Sequence, residues 1–111
     1  MTRHPPDTAR TVYWHRELPP PGAEPLGEHV VEAVSGRVPI TLAHRDDLWD
    51  RCYSELMASA RERLEQEIAH LGGDCVHVLR EAIATRRDDA KRQMWLHGRF
   101  TYVLYRMPQA A

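Results

Sequence analysis

Long apolar runs are missing from this sequence of 111 residues. None approaches the roughly 20 residues that a membrane-spanning helix needs. An excess of one charge is missing too, since 15 Lys and Arg stand against 16 Asp and Glu. No strong overall field therefore calls for nucleic acid or an anionic membrane as partner. Cysteine is scarce, with two residues in all, and that excludes a disulfide-built scaffold. The opening stretch MTRHPPDTARTVYWH has no apolar core, no small-residue cleavage site and no cysteine to carry a lipid, so it does not read as a signal peptide. The expected setting is cytoplasmic, where Cys52 and Cys75 are reduced thiols that pack as small apolar residues. Sequence alone leaves a Cys52–Cys75 disulfide open, because its feasibility depends on Cα separation.

The composition that remains is that of a soluble globular chain, 42% hydrophobic and 28% charged. Its length suits one domain, or one domain with a tail. Proline divides the two. Six of the eight prolines fall in the first 25 residues: Pro5, Pro6, Pro19, Pro20, Pro21 and Pro25. Proline fixes φ and removes an amide donor, so residues 1–27 are expected to form an extended arm. Within it Thr11–His15 is β-prone and aromatic. Tyr13 and Trp14 are costly to leave exposed, which favours docking of the arm on a sheet edge or apolar surface.

Residues 28–107 read as an α+β domain. His29–Ser35 is a strand bracketed by Gly27 and Gly36, and Pro39 confines Arg37–Leu42 to an edge, bulge or connection. From Asp46 to Leu71 an apolar residue recurs every four positions: Leu48, Cys52, Leu56, Ala60, Leu64 and Ile68. Trp49, Tyr53, Met57 and Leu71 widen this stripe into one face of a long helix. Asp46 and Asp47 are its expected caps, and Gly72 and Gly73 its stop. Cys75–Ala84 and Met94–Met107 read as two further strands, joined by a charged loop over Thr85–Gln93, with a bulge or bend at Gly98. The expected architecture is an antiparallel sheet packed by one helix, in the order β-α-β-β with a Pro-rich N-terminal arm.

This ordered set resembles the YbjQ-like family, whose members are labelled as heavy-metal-binding proteins. The resemblance covers about residues 28–106. It rests on the strand VVEAVSGRV with its Ser35-Gly36 turn, on Ala60-Arg61 within the helix, and on the Leu71-Gly72-Gly73-Asp74 stop leading into Val76 and Val78. The closing strand WLHGRFTYVLYR completes it. The resemblance implies an α+β fold and a homo-oligomer, in that family a pentameric ring. The proline-rich arm, the charged hairpin tip and the short Val38–Ala43 link depart from the family pattern.

Seven histidines raise transition-metal binding. A zinc site needs three or four converging ligands. No CxxC, HxxxH or HExxH is present, so the candidate ligands are His29, Cys75, His77 and His97, each on an expected strand. Cys75 and His77 share a face by the two-residue period. Glu32 and Glu81 are the candidates for an acid–base pair in a small enzyme, a reading unsupported by any nucleophile or phosphate-loop motif. Arg99 and Arg106 alternate with Phe100, Tyr102 and Tyr105, but no RNA-binding motif accompanies them. A different feature carries further. The last strand is apolar on both sides, whereas one helix covers only one face of a sheet. A second cover is needed, either the arm or another subunit, with Trp14, Trp95 and Tyr105 expected near that contact. The function expected first is a self-associating binding or assembly module, followed by metal binding and then catalysis.

Overall fold

The computed structural model describes residues 10–40 and 45–108, with helix side chains from Trp49 onward. The expected caps Asp46 and Asp47 and the stripe position Leu48 lie outside the described side chains. Strand β5, Gln93–Arg106, is the spine of the sheet. Strand β4, Cys75–Asp88, runs antiparallel beside it from Cys75↔Tyr105 to Asp88↔Gln93. On the other side β2, Glu24–Val34, is antiparallel from Glu24↔Arg106 to Val34↔His97. The short β3, Val38–Pro39, continues that side along Met94 and Gln93. Strand β1, Val12–Trp14, lies parallel to β4 on its outer side, from Val12↔Val76 to Trp14↔Val78.

The fold is thus α+β, as expected, with one helix among the described residues, but the sheet is mixed rather than antiparallel. The parallel pair comes from the TVYWH segment, which docks on its own chain as β1. The order is β-β-β-α-β-β, because β1 and β3 join the expected elements. The described part of the expected arm, residues 10–27, is not a single extended element, since β2 begins at Glu24 and the junction at residue 27 falls inside a strand. Pro25 is accommodated because β2 is an edge strand and a register shift lies between Pro25 and Gly27. Pro39 also sits at a sheet edge, as its missing donor requires.

Helix α1, Arg45–Leu71, places its four-residue repeat on the sheet. Leu56, Ala60 and Leu64 are fully buried, Cys52 is 2% exposed and Ile68 is 8% exposed. Trp49 and Met57 flank this stripe against the core. Tyr53 and Leu71, expected within it, are each 39% exposed. Tyr53 stacks instead on Trp49, with ring centroids 6.0 Å apart. Gly72 ends the helix at φ 77°, and the N–H groups of Gly72 and Gly73 both donate to the Ile68 carbonyl at 3.0 and 3.1 Å. The left-handed φ suits glycine, which has no Cβ to clash.

The pleat of β5 divides its side chains between two faces. Leu96, Phe100, Tyr102 and Leu104 are buried beneath the helix, together with Val31, Ala33, Val76 and Val78. Gly98 shares this face, and the ladder runs through it unbroken as Ala33↔Gly98 and Ile83↔Gly98. The bulge expected there lies elsewhere, between Val78 and Arg80. Gly98 is required by packing, since a Cβ would come within 2.6 Å of Phe100 Cε2. The charged segment expected as a loop is also different. Thr85–Asp88 continues β4, and the turn is confined to residues 89–92, with Arg92 at φ 55°. Asp88 Oδ1 accepts a hydrogen bond from the Lys91 N–H at 3.2 Å and helps close that turn.

Where β2 leaves the sheet, buried Ser35 replaces a backbone partner with its side chain. Its N–H donates to the Leu96 carbonyl, and its Oγ accepts from the Leu96 N–H, both at 2.9 Å. Ser35→Ala leaves the buried Leu96 N–H without its acceptor and should cost about 1–3 kcal/mol. Urea unfolding followed by circular dichroism measures this, and an unchanged midpoint would show that the N–H finds another partner.

Candidate interaction surface

The face of the sheet opposite the helix has no second layer among the described residues. It carries Glu28, Val30, Glu32 and Val34 from β2, and Trp95, His97, Arg99, Thr101, Val103 and Tyr105 from β5. Strand β4 adds Cys75, His77, Arg80, Ala82, Ala84 and Arg86 by the same register. One end of this face is partly covered. To pass from β1 to β2 the chain crosses β4 and β5, and it does so on this side, where the His15 carbonyl meets His77 Nε2 at 2.7 Å. A small cluster fixes the start of the crossing. Glu17 Oε1 accepts from the Trp14 N–H at 2.8 Å, and Arg10 pairs with Glu17 while its guanidinium lies 4.8 Å from the Tyr13 ring centre. The Arg10 hydrogen bond and then the Trp14 N–H hold the Glu17 carboxyl below the usual range. Tyr13 and Cys75, which share this end, are 7% and 1% exposed. Burial, and next the Asp74 carboxylate, push the Cys75 thiol up. Such a thiol is a packing group rather than a nucleophile.

The rest of the face is open. Val30 is 44% exposed, Val34 50%, and Leu79 at the bulge 38%. A shallow depression of about 270 Å³ lies at its centre, lined among others by Glu28, Val30, Arg80, Arg99 and Thr101. Among the described residues the outer side of β4 is also unoccupied beyond Val78. The last bond made there by β1 is from the His15 N–H to the Val78 carbonyl, at 2.8 Å. From Arg80 to Asp88 no described strand pairs with that side. Glu81 stands on this edge with His15 Nε2 3.8 Å from its Oε1, while its Oε2 is buried without a hydrogen-bond partner among the described residues.

The four candidate metal ligands are not brought together within one chain. His29 is in register with Tyr102, on the helix face, with ring centroids 5.6 Å apart. Cys75, His77 and His97 lie on the opposite face. His77 is level with Val103 and His97 with Ala84 and Val34, so the six-residue step along β5 from His97 to Val103 separates them by about 20 Å at the strand rise. His97 Nε2 meets Glu32 Oε1 at 3.0 Å. Among the described residues no three His, Cys, Asp or Glu side chains are grouped to hold a metal. Glu32 and Glu81 do not form a pair either, since Glu32 is in register with Arg99 and Glu81 with Phe100, on opposite faces. Both cysteines are free and buried, Cys52 on the helix side of the sheet and Cys75 on the other.

The three expected contact aromatics also separate. Trp14 packs inside the subunit, edge-on to Phe100 at 6.1 Å, because β1 turns it to the helix face. Trp95 lies on the open face beneath the Arg37 guanidinium, 4.1 Å from its ring centre. Tyr105 lies at the covered end of that face, level with Cys75. The register itself gave no sign in the sequence of the unpaired β4 edge, because its charged residues resemble a loop.

No described helix is long and apolar enough to cross a membrane. Searched against protein-family models, curated proteins and solved structures, the chain matches none.

Tyr102 provides a handle on the packed face. Burial, and then the Glu67 carboxylate, push its hydroxyl from 10 up to about 12. A raised value means that its contribution to stability is complete below pH 10 and is lost as pH rises to about 12. Tyr102→Phe should therefore move the alkaline unfolding midpoint to higher pH by circular dichroism. An unmoved midpoint would assign alkaline unfolding to other groups.

Proposed function

We propose that this chain is a self-associating module that works by binding and assembly. The observation that carries this reading is the incomplete sheet: among the described residues one helix covers one face, and no strand pairs with the outer side of β4 from Arg80 to Asp88. Unpaired strand edges are templates for pairing with another chain. Leu79, 38% exposed, adds apolar area at the start of that edge, and Val30 and Val34 on β2 expose apolar area across the open face. The resemblance to the YbjQ-like family supports a homo-oligomer independently of the edge.

The subunit is thin, 24 Å across its shortest axis against 58 Å along its longest. Such a shape leaves much of its sheet near the surface, and association is the way to bury more of it. Light scattering coupled to size exclusion at micromolar concentration should give a mass at least twice the 12.8 kDa of one chain. A single species at the mass of one chain across that range overturns the reading.

A further inference from the structure

We infer that the partner at the free β4 edge is the same edge of a second copy, joined antiparallel about a two-fold axis at Ala84. The inference rests on the self-association proposed above and specifies its contact. A two-fold axis perpendicular to the sheet keeps the open faces of both copies on one side. Residues directly opposite in an antiparallel pair point to the same side. Residue 80, 82, 84, 86 and 88 side chains occupy the open face, and 81, 83, 85 and 87 the helix face. Pairing must therefore join even positions to even and odd to odd, which requires the axis to pass through a residue.

Three centres are then available near the middle of the edge. Centring on Ile83 sets Arg80 against Arg86 of the second copy. Like charges directly opposite destabilise a strand pair. Centring on Thr85 leaves Arg80 and Glu81 with no facing strand residue, because β4 ends at Asp88. Centring on Ala84 instead sets Arg80 against Asp88 and Glu81 against Arg87, each twice by symmetry, with Ile83 against Thr85 and Ala82 against Arg86. Opposite charges at directly facing positions favour that register.

Two further observations agree with it. Among the described residues no ion pair joins Arg80 to a carboxylate of its own chain, and Glu81 Oε2 is buried without a partner. Arg87 of the second copy arrives on the face that Glu81 occupies. The length fits as well. Strand β1 stops at Val78, so the second copy's strand occupies Arg80–Asp88 and its hairpin turn meets the end of β1. The contact is isologous and closes on itself, so it produces dimers. A five-membered ring cannot be built from it alone.

Ala84→Cys tests the axis directly, because Cβ atoms of facing residues in an antiparallel pair lie about 4.5–5.5 Å apart. Under mild oxidation this variant should run at twice the chain mass on a non-reducing gel. Ala58→Cys, on the exposed side of the helix, should not. Arg87→Glu places Glu81 against a like charge and should reduce the mass in solution to that of one chain, with the circular dichroism spectrum unchanged. Adding Glu81→Arg restores the opposite pair and should restore the dimer. Wild-type protein that is monomeric overturns both the contact and self-association. Protein that associates, but shows no cross-link at residue 84 and no change of mass in Arg87→Glu, overturns the contact alone. A mass of five chains does the same.

Discussion

The pleat of β5 is the constraint on which the other elements depend. Strands β2, β3 and β4 all hydrogen-bond to it. Its alternation therefore decides which side chains of three strands meet the helix and which do not. Leu96, Phe100, Tyr102 and Leu104 take one side and form the floor of the core. Gly98 interrupts this row, where the Phe100 ring fills the space a side chain would take and Leu56 lies close by. A one-residue slip of β5 would bring Arg99 and His97 under the helix and expel the core row, so the register is strongly specified.

That same alternation explains how much could be read in advance. The helix was legible because its signal is local: Cys52, Leu56, Ala60, Leu64 and Ile68 recur within one segment and share one face. The core side of β5 was legible for the same reason. The mixed character of the sheet was not, because it depends on Val12 meeting Val76 across most of the chain. Thr85–Asp88 reads as a loop from its charge, yet a strand paired on one side only can carry charge on its exposed positions. Gly98 reads as a bulge from propensity, whereas tight packing against Phe100 is a tertiary cause that propensity does not record. The histidines divide in the same way. Parity within β4 correctly sets Cys75 and His77 on one face, but the relative levels of His29, His77 and His97 follow only from pairing between strands.

The candidate surface was legible in outline. Apolar residues on both sides of the last strand called for a second cover, and two answers emerge at two places. At the covered end, the crossing from β1 to β2 lies over Cys75 and His77. Farther along, nothing described takes that role, and the exposed valines of β2 and the free β4 edge lie on either side of β5. Trp14 illustrates the distinction. Its aromatic ring was expected at a contact between subunits, but a parallel pairing of three residues turns it inward onto Phe100.

Strand β1 has a consequence for the order of folding. It is only three residues long and joins residues more than sixty positions away along the chain. Closing so long a loop gains little from so short a ladder, whereas the β4–β5 hairpin closes over a four-residue turn. The hairpin and helix can therefore assemble while β1, held by only three residue pairs, is still detached. During that interval the vacant side of β4 extends down to Cys75. Docking of β1, with the Arg10–Glu17 pair beside it, is what shortens the vacant edge to Arg80–Asp88.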